Sequence, residues 1–431
     1  MYRQTDTFPL ADRLFHDIQQ RMLNWSKQFS ILLFLDSNSY DSPYGKYDCL
    51  LAAGALDIIS QPQGDLLQYL QQFHTQHKDW LFGHIAYEYK DLLEHILSSS
   101  YPATIGFPLA QFFRPQIVCY IEKGSGNLTI ECVGISPLEI FNAIINTSPL
   151  EKLSQPKLSF QQRINKDTYL NSITTLRRHI ADGDCYEINF CNEGYCESAV
   201  IDPVQVFNAL NTLSPAPFAA YYRLYDKYMM CASPERYIRK QGQHLLCQPI
   251  KGTARRDANE LKDIEIKTAL YHNIKERAEN VMIVDLMRSD LAHTCIPGTI
   301  QVDELFGIYT FPQVHQMIST ISGKLKPDTP FTDAIGYSFP MGSMTGAPKV
   351  MVMQLIELYE QSRRELYSGT VGYISPQGDM DFNVVIRSLF YNATSQYLSY
   401  HTGGAITFDS EPQQEWDEMR LKAWALERLF S

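Results

Sequence analysis

Between residues 218 and 402 the chain strings together short strand-like segments separated by turns, with helices in clusters and no regular βα alternation. That order limits the fold more than any other feature. Segments 218–224, 228–232, 245–249, 368–375, 384–391 and 398–402 read as strands. The expectation is an α+β fold with antiparallel sheets.

Ahead of these strands, 165–182 reads as an amphipathic helix. Asn165 can cap it, Tyr169, Ile173, Leu176 and Ile180 form one stripe, and Gly183 ends it. Its apolar stripe should pack on a sheet. The stretch SPLEKLSQPKLSFQQ, 148–162, is polar and broken by two prolines, which places the main boundary there. The expected organisation is an N-terminal α/β portion over 1–150 packed on a second portion over 163–431. Upstream, 31–35, 116–122 and 128–133 read as strands and 65–73 as a helix.

Composition excludes several classes. The 431 residues allow two or three domains of roughly 100–200 residues, or one intergrown unit. With 45% hydrophobic and 20% charged residues the chain should fold as a soluble globule. A net charge of −11 argues against a nucleic-acid partner, because neutralising phosphates needs clustered Lys and Arg. An anionic ligand would therefore need a local cationic pocket. No apolar window approaches the roughly 20 residues of a bilayer span, so no membrane association is expected. Residues 1–20 lack a basic start followed by an apolar stretch and carry Asp6, Asp12 and Asp17, which points to a cytoplasmic location. The nine cysteines show no metal-binding spacing and read as buried small hydrophobes, with neither disulfides nor a zinc site expected.

Five segments carry chemistry. In QPIKGTARR, 248–256, Lys251 is expected at a strand end before a Gly252-Thr253 turn, pointing into a cleft or lying on the surface; spacing alone leaves both open. A nucleophilic lysine must lose a proton, and burial or neighbouring cations such as Arg255 and Arg256 would have to lower its pKa. Glu276 and Glu279, and likewise Glu415 and Glu418, stand three apart, so each pair shares a helix face. Like charges at that spacing repel by a few tenths of a kcal/mol, which a bound divalent cation reverses; hard carboxylate oxygens suit magnesium, although solvated helix faces give the same spacing. FPMGSMTGAPK, 339–349, is a glycine-containing loop feeding a helix, able to offer backbone N–H groups to an anion, but lacking the spacing of a Walker loop. HTGGA, 401–405, is a second glycine turn suited to close backbone approach.

Taken together, GDCYEINF (183–190), SPERY (233–237), PIKGT (249–253), AENVMIVDLMRSDLA (278–292), VHQMIST (314–320), MGSMTGAPK (341–349), YSGTVGYI (367–374), NVVIRS (383–388) and TGGAI (402–406) resemble the chorismate-binding enzyme family. Nine motifs stand in the family's order over about residues 163–429. LDSNSYDSPYGKYD, 35–48, resembles the N-terminal region of its aminodeoxychorismate-forming members. The resemblance implies large antiparallel sheets, two packed on each other and flanked by helices, as in anthranilate synthase component I, with 163–431 as the catalytic domain. Lysine within PIKGT is similar to the branch that makes aminodeoxychorismate, whereas isochorismate- and salicylate-forming members carry a water-activating lysine at the place of Glu187.

That resemblance implies the following site. The ring carboxylate of chorismate would bind Mg2+ held directly by Glu279 and Glu418, with Glu276 and Glu415 acting through water. Arg387 would pair with the enolpyruvyl carboxylate, helped by Tyr373 and by backbone donors around Gly403, Gly404 and Ser343. Gly252, Thr253 and Lys349 complete the implied substrate-binding set. Lys251 would attack C2 as the C4 hydroxyl leaves, ammonia would then add at C4, and Glu235 would serve as acid and base. Ammonia would come from a separate glutaminase subunit, since no G-x-C-x-G elbow is present, and a further lyase would make 4-aminobenzoate for folate.

Three positions depart from the family: Gln316 where histidine is common, Met341 for a usual glycine and Glu187 for a usual glutamine. The first fits an enzyme that stops before pyruvate elimination; the other two bear on the shape and charge of the pocket. An LLES-type tryptophan-feedback segment is not recognisable, although SPAPF, 214–218, stands where its partner would, and no tryptophan inhibition is expected. The rivals are an anthranilate synthase component I that tolerates Lys251, and a non-catalytic chorismate-binding subunit.

Overall fold

The computed structural model of the protein describes residues 2–60, 65–94, 99–151, 154–312 and 314–431. The side chain of Asp12, and Lys152 and Leu153 in the expected boundary segment, lie outside the described residues.

Among the described residues the strands pair antiparallel and form one hydrogen-bonded network with two arms. The strand Ala110–Glu122 joins them: residues 110–113 pair with Leu81–Ile85, and residues 117–120 on the same edge pair with Asn127–Cys132. Its other edge pairs with Tyr47–Ser60. The first arm continues through Ile31–Asp36, Phe218–Leu224, Lys227–Ser233, Ser388–Asn392 and Tyr397–Ile406 to Glu187–Cys196. The second continues through Thr370–Ile374, Met380–Asn383, Arg236–Gln241 and His244–Gln248 to Val314–Lys324.

One core lies between the arms, where Leu33, Tyr222 and Met229 of the first meet Phe82, Ile238, Leu245 and Phe382 of the second. The two expected sheets are therefore arms of one network that share a strand. The apolar run at 31–35 follows from this. Ile31 and Leu33 face the inter-arm core while Leu32 and Phe34 face a second core, so a strand with alternating faces needs apolar residues on both. Strands from 1–150 are hydrogen-bonded into both arms, Ile31–Asp36 to Phe218–Leu224 and Leu81–Ile85 to Thr370–Ile374.

The helix Lys166–Ala181 forms as its sequence dictates. The Asn165 side chain accepts from the Thr168 N–H, Gly183 takes φ 87°, and Tyr169, Ile173 and Leu176 pack with Ile188 and Phe190 of the strand Glu187–Cys196. Two expected strands are shorter than their sequence implies: 368–375 is a strand only over Thr370–Ile374. In 384–391 regular structure begins only at Ser388, because Arg387 takes φ 52° and breaks the extended run. Among the described residues no helix is long and apolar enough to cross a membrane.

Candidate active site

A cleft of about 940 Å³ opens between the ends of both arms, with Ile250–Arg255 beside Val314–Lys324, and the helices Ile274–Ala292 and Pro412–Glu427. Lys251, Glu235, Arg387, Ser343, Gly252, Thr253, Gly403 and Gly404 line it together with all four glutamates singled out by their spacing.

Lys251 reaches the cleft by a device the sequence did not announce. It lies inside the strand Ile250–Arg255, whose register against Val314–Lys324 slips between Ile250 and Thr253. Such a bulge re-aims a side chain. Gly252 makes it possible, at φ 95° with Glu276 Oε2 only 3.1 Å from where a Cβ would stand. The expected strand end and turn is thus a bulge within a strand. The expectation that arginines depress the lysine pKa also fails: Arg256 is tied to Asp263 at 2.8 Å, and Arg255 is exposed. Instead Lys251 Nζ pairs with the fully buried carboxylate of Glu187. Burial alone would pull the ammonium pKa down, but Glu187, then Glu279 and Glu235, outweigh it and hold it above the ordinary lysine value.

Glu235 follows the strand Lys227–Ser233 and is 4% exposed. Burial pushes its carboxyl up to about 7, against the Ser343 hydroxyl at 2.7 Å, the Ile250 N–H, Lys251 and Arg387. A group half-protonated near neutral pH can both give and take a proton. Burial also brings the Arg387 guanidinium down to about 10, with Glu235 opposing, so it stays cationic at pH 7. Among the described residues that guanidinium has no hydrogen-bond or ion-pair partner, and it faces the cleft free to take an anion.

The carboxylates converge from two helices. Asn273 caps the first by accepting from the Glu276 N–H, which sets Glu276 and Glu279 in its opening turns. Burial raises Glu276 and lifts Glu279 to about 7, with Glu418 adding to the first and Glu187 and Glu276 to the second. On the second helix, burial raises Glu415, which also accepts from Ser410 Oγ at 2.7 Å. Glu418 is lowered by Lys422 at 2.8 Å. A Cβ on Gly404 would stand 3.4 Å from Glu415 Oε2 and 3.6 Å from Glu418 Oε1, so this glycine keeps space open beside both. Among the described residues no three acidic, His or Cys side chains are drawn into a ready coordination shell. The donor chemistry, four carboxylates facing one space, fits a hard cation.

The sequence profile of the family described as chorismate binding enzyme matches residues 43–428. The chain belongs to that family. It is 39% identical over 269 residues to an aminodeoxychorismate synthase of Streptomyces pristinaespiralis, covering 62% of this chain and 37% of the relative. It is 37% identical over 260 residues to aminodeoxychorismate synthase component 1 of Salmonella typhimurium, covering 60% and 57%. The matched stretches thus span less than two thirds of these relatives. Anthranilate synthase component I from Streptococcus pneumoniae superposes with a TM-score of 0.80 at 23% identity, over 90% of this chain and 94% of that one, and shares the fold.

Two residues that the family resemblance implied for substrate lie elsewhere. Tyr373 packs against Tyr47, Trp80 and Phe82 and lines a separate, smaller pocket, where Asp36 and Ser37 of 35–48 meet Pro217 and Phe218 of SPAPF. The tyrosine that faces the cleft is Tyr367, at the start of the same YSGTVGYI motif. Alternation cannot be counted between them, because Ser368 takes φ 61° before the strand starts at Thr370. Lys349 is held by Asp290 at 3.0 Å, away from the cleft lining. HTGGA, expected as a turn, lies instead inside the strand Tyr397–Ile406, paired residue by residue with Glu187–Cys196. His401 within it was also missed; it lines the cleft, stacks on Tyr367 at 5.2 Å, and burial drives it down to about 3, so it is neutral.

Two glycines of the loop allow close packing. Gly346 lets the Glu187 carbonyl come within 2.0 Å of where a Cβ would be, and Gly342 accommodates Leu286 in the same way. Of the three departures, Gln316 and Glu187 belong to the site, Gln316 with a buried Oε1 lacking a hydrogen-bond partner among the described residues. Met341 packs into the inter-arm core.

Proposed function

We propose that this chain is the chorismate-aminating component of an aminodeoxychorismate synthase, making 4-amino-4-deoxychorismate from chorismate and ammonia. The observation that carries the reading is Lys251, held in the cleft beside Glu235 and Arg387 and facing the four carboxylates. The names of the Streptomyces and Salmonella relatives support it.

Arg387 takes the enolpyruvyl carboxylate in its guanidinium fork, with Tyr367 and the backbone at Gly403 and Gly404 closing around it. Glu279, Glu418, Glu276 and Glu415 would hold Mg2+, which when bound would supply positive charge for the ring carboxylate. Lys251 forms a bond to C2 as the C4–O bond breaks, and Glu235, about half protonated at neutral pH, gives the departing oxygen its proton. Ammonia then bonds at C4, the lysine leaves, and Glu235 takes back a proton from the new amine. The ammonia is supplied by a partner glutaminase subunit in the cytoplasm, and the product serves 4-aminobenzoate and folate synthesis.

Incubating the protein with chorismate, magnesium and an ammonium salt, with and without a lyase, tests this. Aminodeoxychorismate by mass spectrometry, becoming 4-aminobenzoate only with the lyase, is expected. Blue-fluorescent anthranilate without lyase, or no turnover at all, overturns it. An ammonia-independent chorismate adduct in the intact mass, absent in Lys251→Ala, is expected from the nucleophile assignment.

A further inference from the structure

Lys251 needs a neutral amine to attack carbon, yet it sits as an ammonium against a carboxylate. In water that proton transfer is uphill by about six pK units, from lysine near 10.4 to glutamate near 4.3. The cleft changes the comparison. Glu187 is 0% exposed and Lys251 is 8% exposed, so both charges of the pair are withdrawn from water. Only one carboxylate oxygen of Glu187 meets the lysine; Oε2 is buried and has no hydrogen-bond partner among the described residues. Its loss of hydration is therefore only half compensated. Moving one proton from Nζ to the carboxylate turns two buried ions into two neutral groups and leaves the net charge unchanged.

The position of Glu187 is built rather than incidental. It opens the strand Glu187–Cys196 and pairs with Ala347, and the absence of a Cβ at Gly346 lets that backbone press against its carbonyl. A carboxylate is thus fixed on the far side of Lys251 from solvent. The other ionisable groups that act on the lysine are Glu279, Glu276 and Glu418 from the two helices and Glu235 from a loop.

Resting on the reading of Lys251 as nucleophile, we propose that Glu187 is the catalytic proton acceptor for that lysine. The ammonium gives one proton to Glu187 and becomes an amine; the amine bonds to C2, and the C4–O bond breaks with a proton from Glu235, releasing water. Ammonia bonds at C4 and the C2–N bond breaks, returning a neutral lysine. Glu235 takes one proton from the new C4 ammonium, and Glu187 returns its own to Lys251, which restores the starting ion pair with every proton accounted for.

The test reads Lys251 ionisation separately from turnover. Competitive labelling with acetic anhydride, followed by peptide mass spectrometry across pH, gives the midpoint at which Lys251 becomes an amine. In Glu187→Gln that midpoint falls by at least one pH unit, and below it adduct formation without ammonia slows about tenfold per pH unit. Wild type shows no such fall on the acid side, since its proton moves within the pair. Glu187→Asp retains the acceptor and keeps the wild-type shape at a lower rate, which separates proton acceptance from a packing effect. A Glu187→Gln adduct rate that keeps the wild-type pH profile overturns the proposal, as does an aspartate variant that behaves like glutamine. If wild type forms no adduct on Lys251, the nucleophile reading itself fails and this proposal falls with it.

Discussion

Ser343 Oγ donates a 2.7 Å hydrogen bond to Glu235 Oε1, and both residues are buried in the cleft wall. The contact joins the glycine loop to the candidate acid and opposes the upward push of burial on Glu235. Removing the hydroxyl in Ser343→Ala takes away a hydrogen bond to a charged group, about 1.5–3 kcal/mol, and so lifts Glu235 by about one to two units above its value near 7. Glu235 must be protonated when the C4 oxygen leaves. The alkaline limb of adduct formation therefore moves up by about one pH unit, read from intact mass between pH 6 and 9; an unmoved limb refutes Glu235 as the acid.

The same carboxyl makes stability depend on pH. Its folded pKa of about 7 lies above the ordinary 4.5, so the folded state holds the proton more tightly, and that stability is lost as pH rises from 4.5 through 7. The loss amounts to about 3 kcal/mol at 1.36 kcal/mol per unit. Glu235→Gln removes the dependence. Its stability relative to wild type should improve by about 3 kcal/mol between pH 5 and pH 8 in urea titrations, while turnover falls by about 10²–10⁴. Equal pH slopes for the two proteins count against the raised pKa.

Lys251 and Glu187 are also coupled through stability. Lys251→Ala leaves a carboxylate at 0% exposure without its cation, at a cost of about 3–5 kcal/mol. The double variant Lys251→Met with Glu187→Gln replaces the ion pair by neutral groups of similar volume and should recover most of that loss in denaturant titrations, with no adduct formed. Additive losses would mean that the pair is not coupled.

What the sequence disclosed divides along physical lines. The four glutamates were legible because spacing of three residues reports a shared helix face, whatever the tertiary fold. Glu235, Lys251 and Arg387 were legible as members of motifs. The surroundings of Lys251 were not, because its partner lies 64 residues upstream on another strand and meets it only through a bulge set by pairing register. The shared strand Ala110–Glu122 was hidden for a similar reason, since pairing with three neighbours leaves no periodic mark in its own residues. Tyr367 and Tyr373 cannot be told apart by alternation, because left-handed Ser368 breaks the count between them.

The two tyrosines are open to a direct comparison. Tyr367 lines the cleft, whereas Tyr373 is packed among aromatic rings around the smaller pocket. Tyr367→Phe should raise KM for chorismate by about tenfold, the loss of one hydrogen bond of about 1–1.5 kcal/mol, with little change in kcat. Tyr373→Phe should leave both within a factor of two. The reverse pattern would restore Tyr373 to the substrate.

Cation binding provides the last check, because it requires ionised carboxylates. Glu279 sits near 7, and Glu276 and Glu415 are raised from the ordinary value, so a divalent cation must displace their protons below neutral pH. Magnesium should therefore raise Tm more at pH 8 than at pH 6, and binding at pH 6 should release measurable protons in calorimetry in two buffers of different ionisation enthalpy. Glu279→Gln already lacks the charge. It should be more stable than wild type without metal at pH 8, and magnesium should no longer raise its Tm. The opposite result, a Tm rise of equal size in wild type and Glu279→Gln, places the cation away from this carboxylate and leaves Lys275, 3.8 Å away, as the balance of its charge.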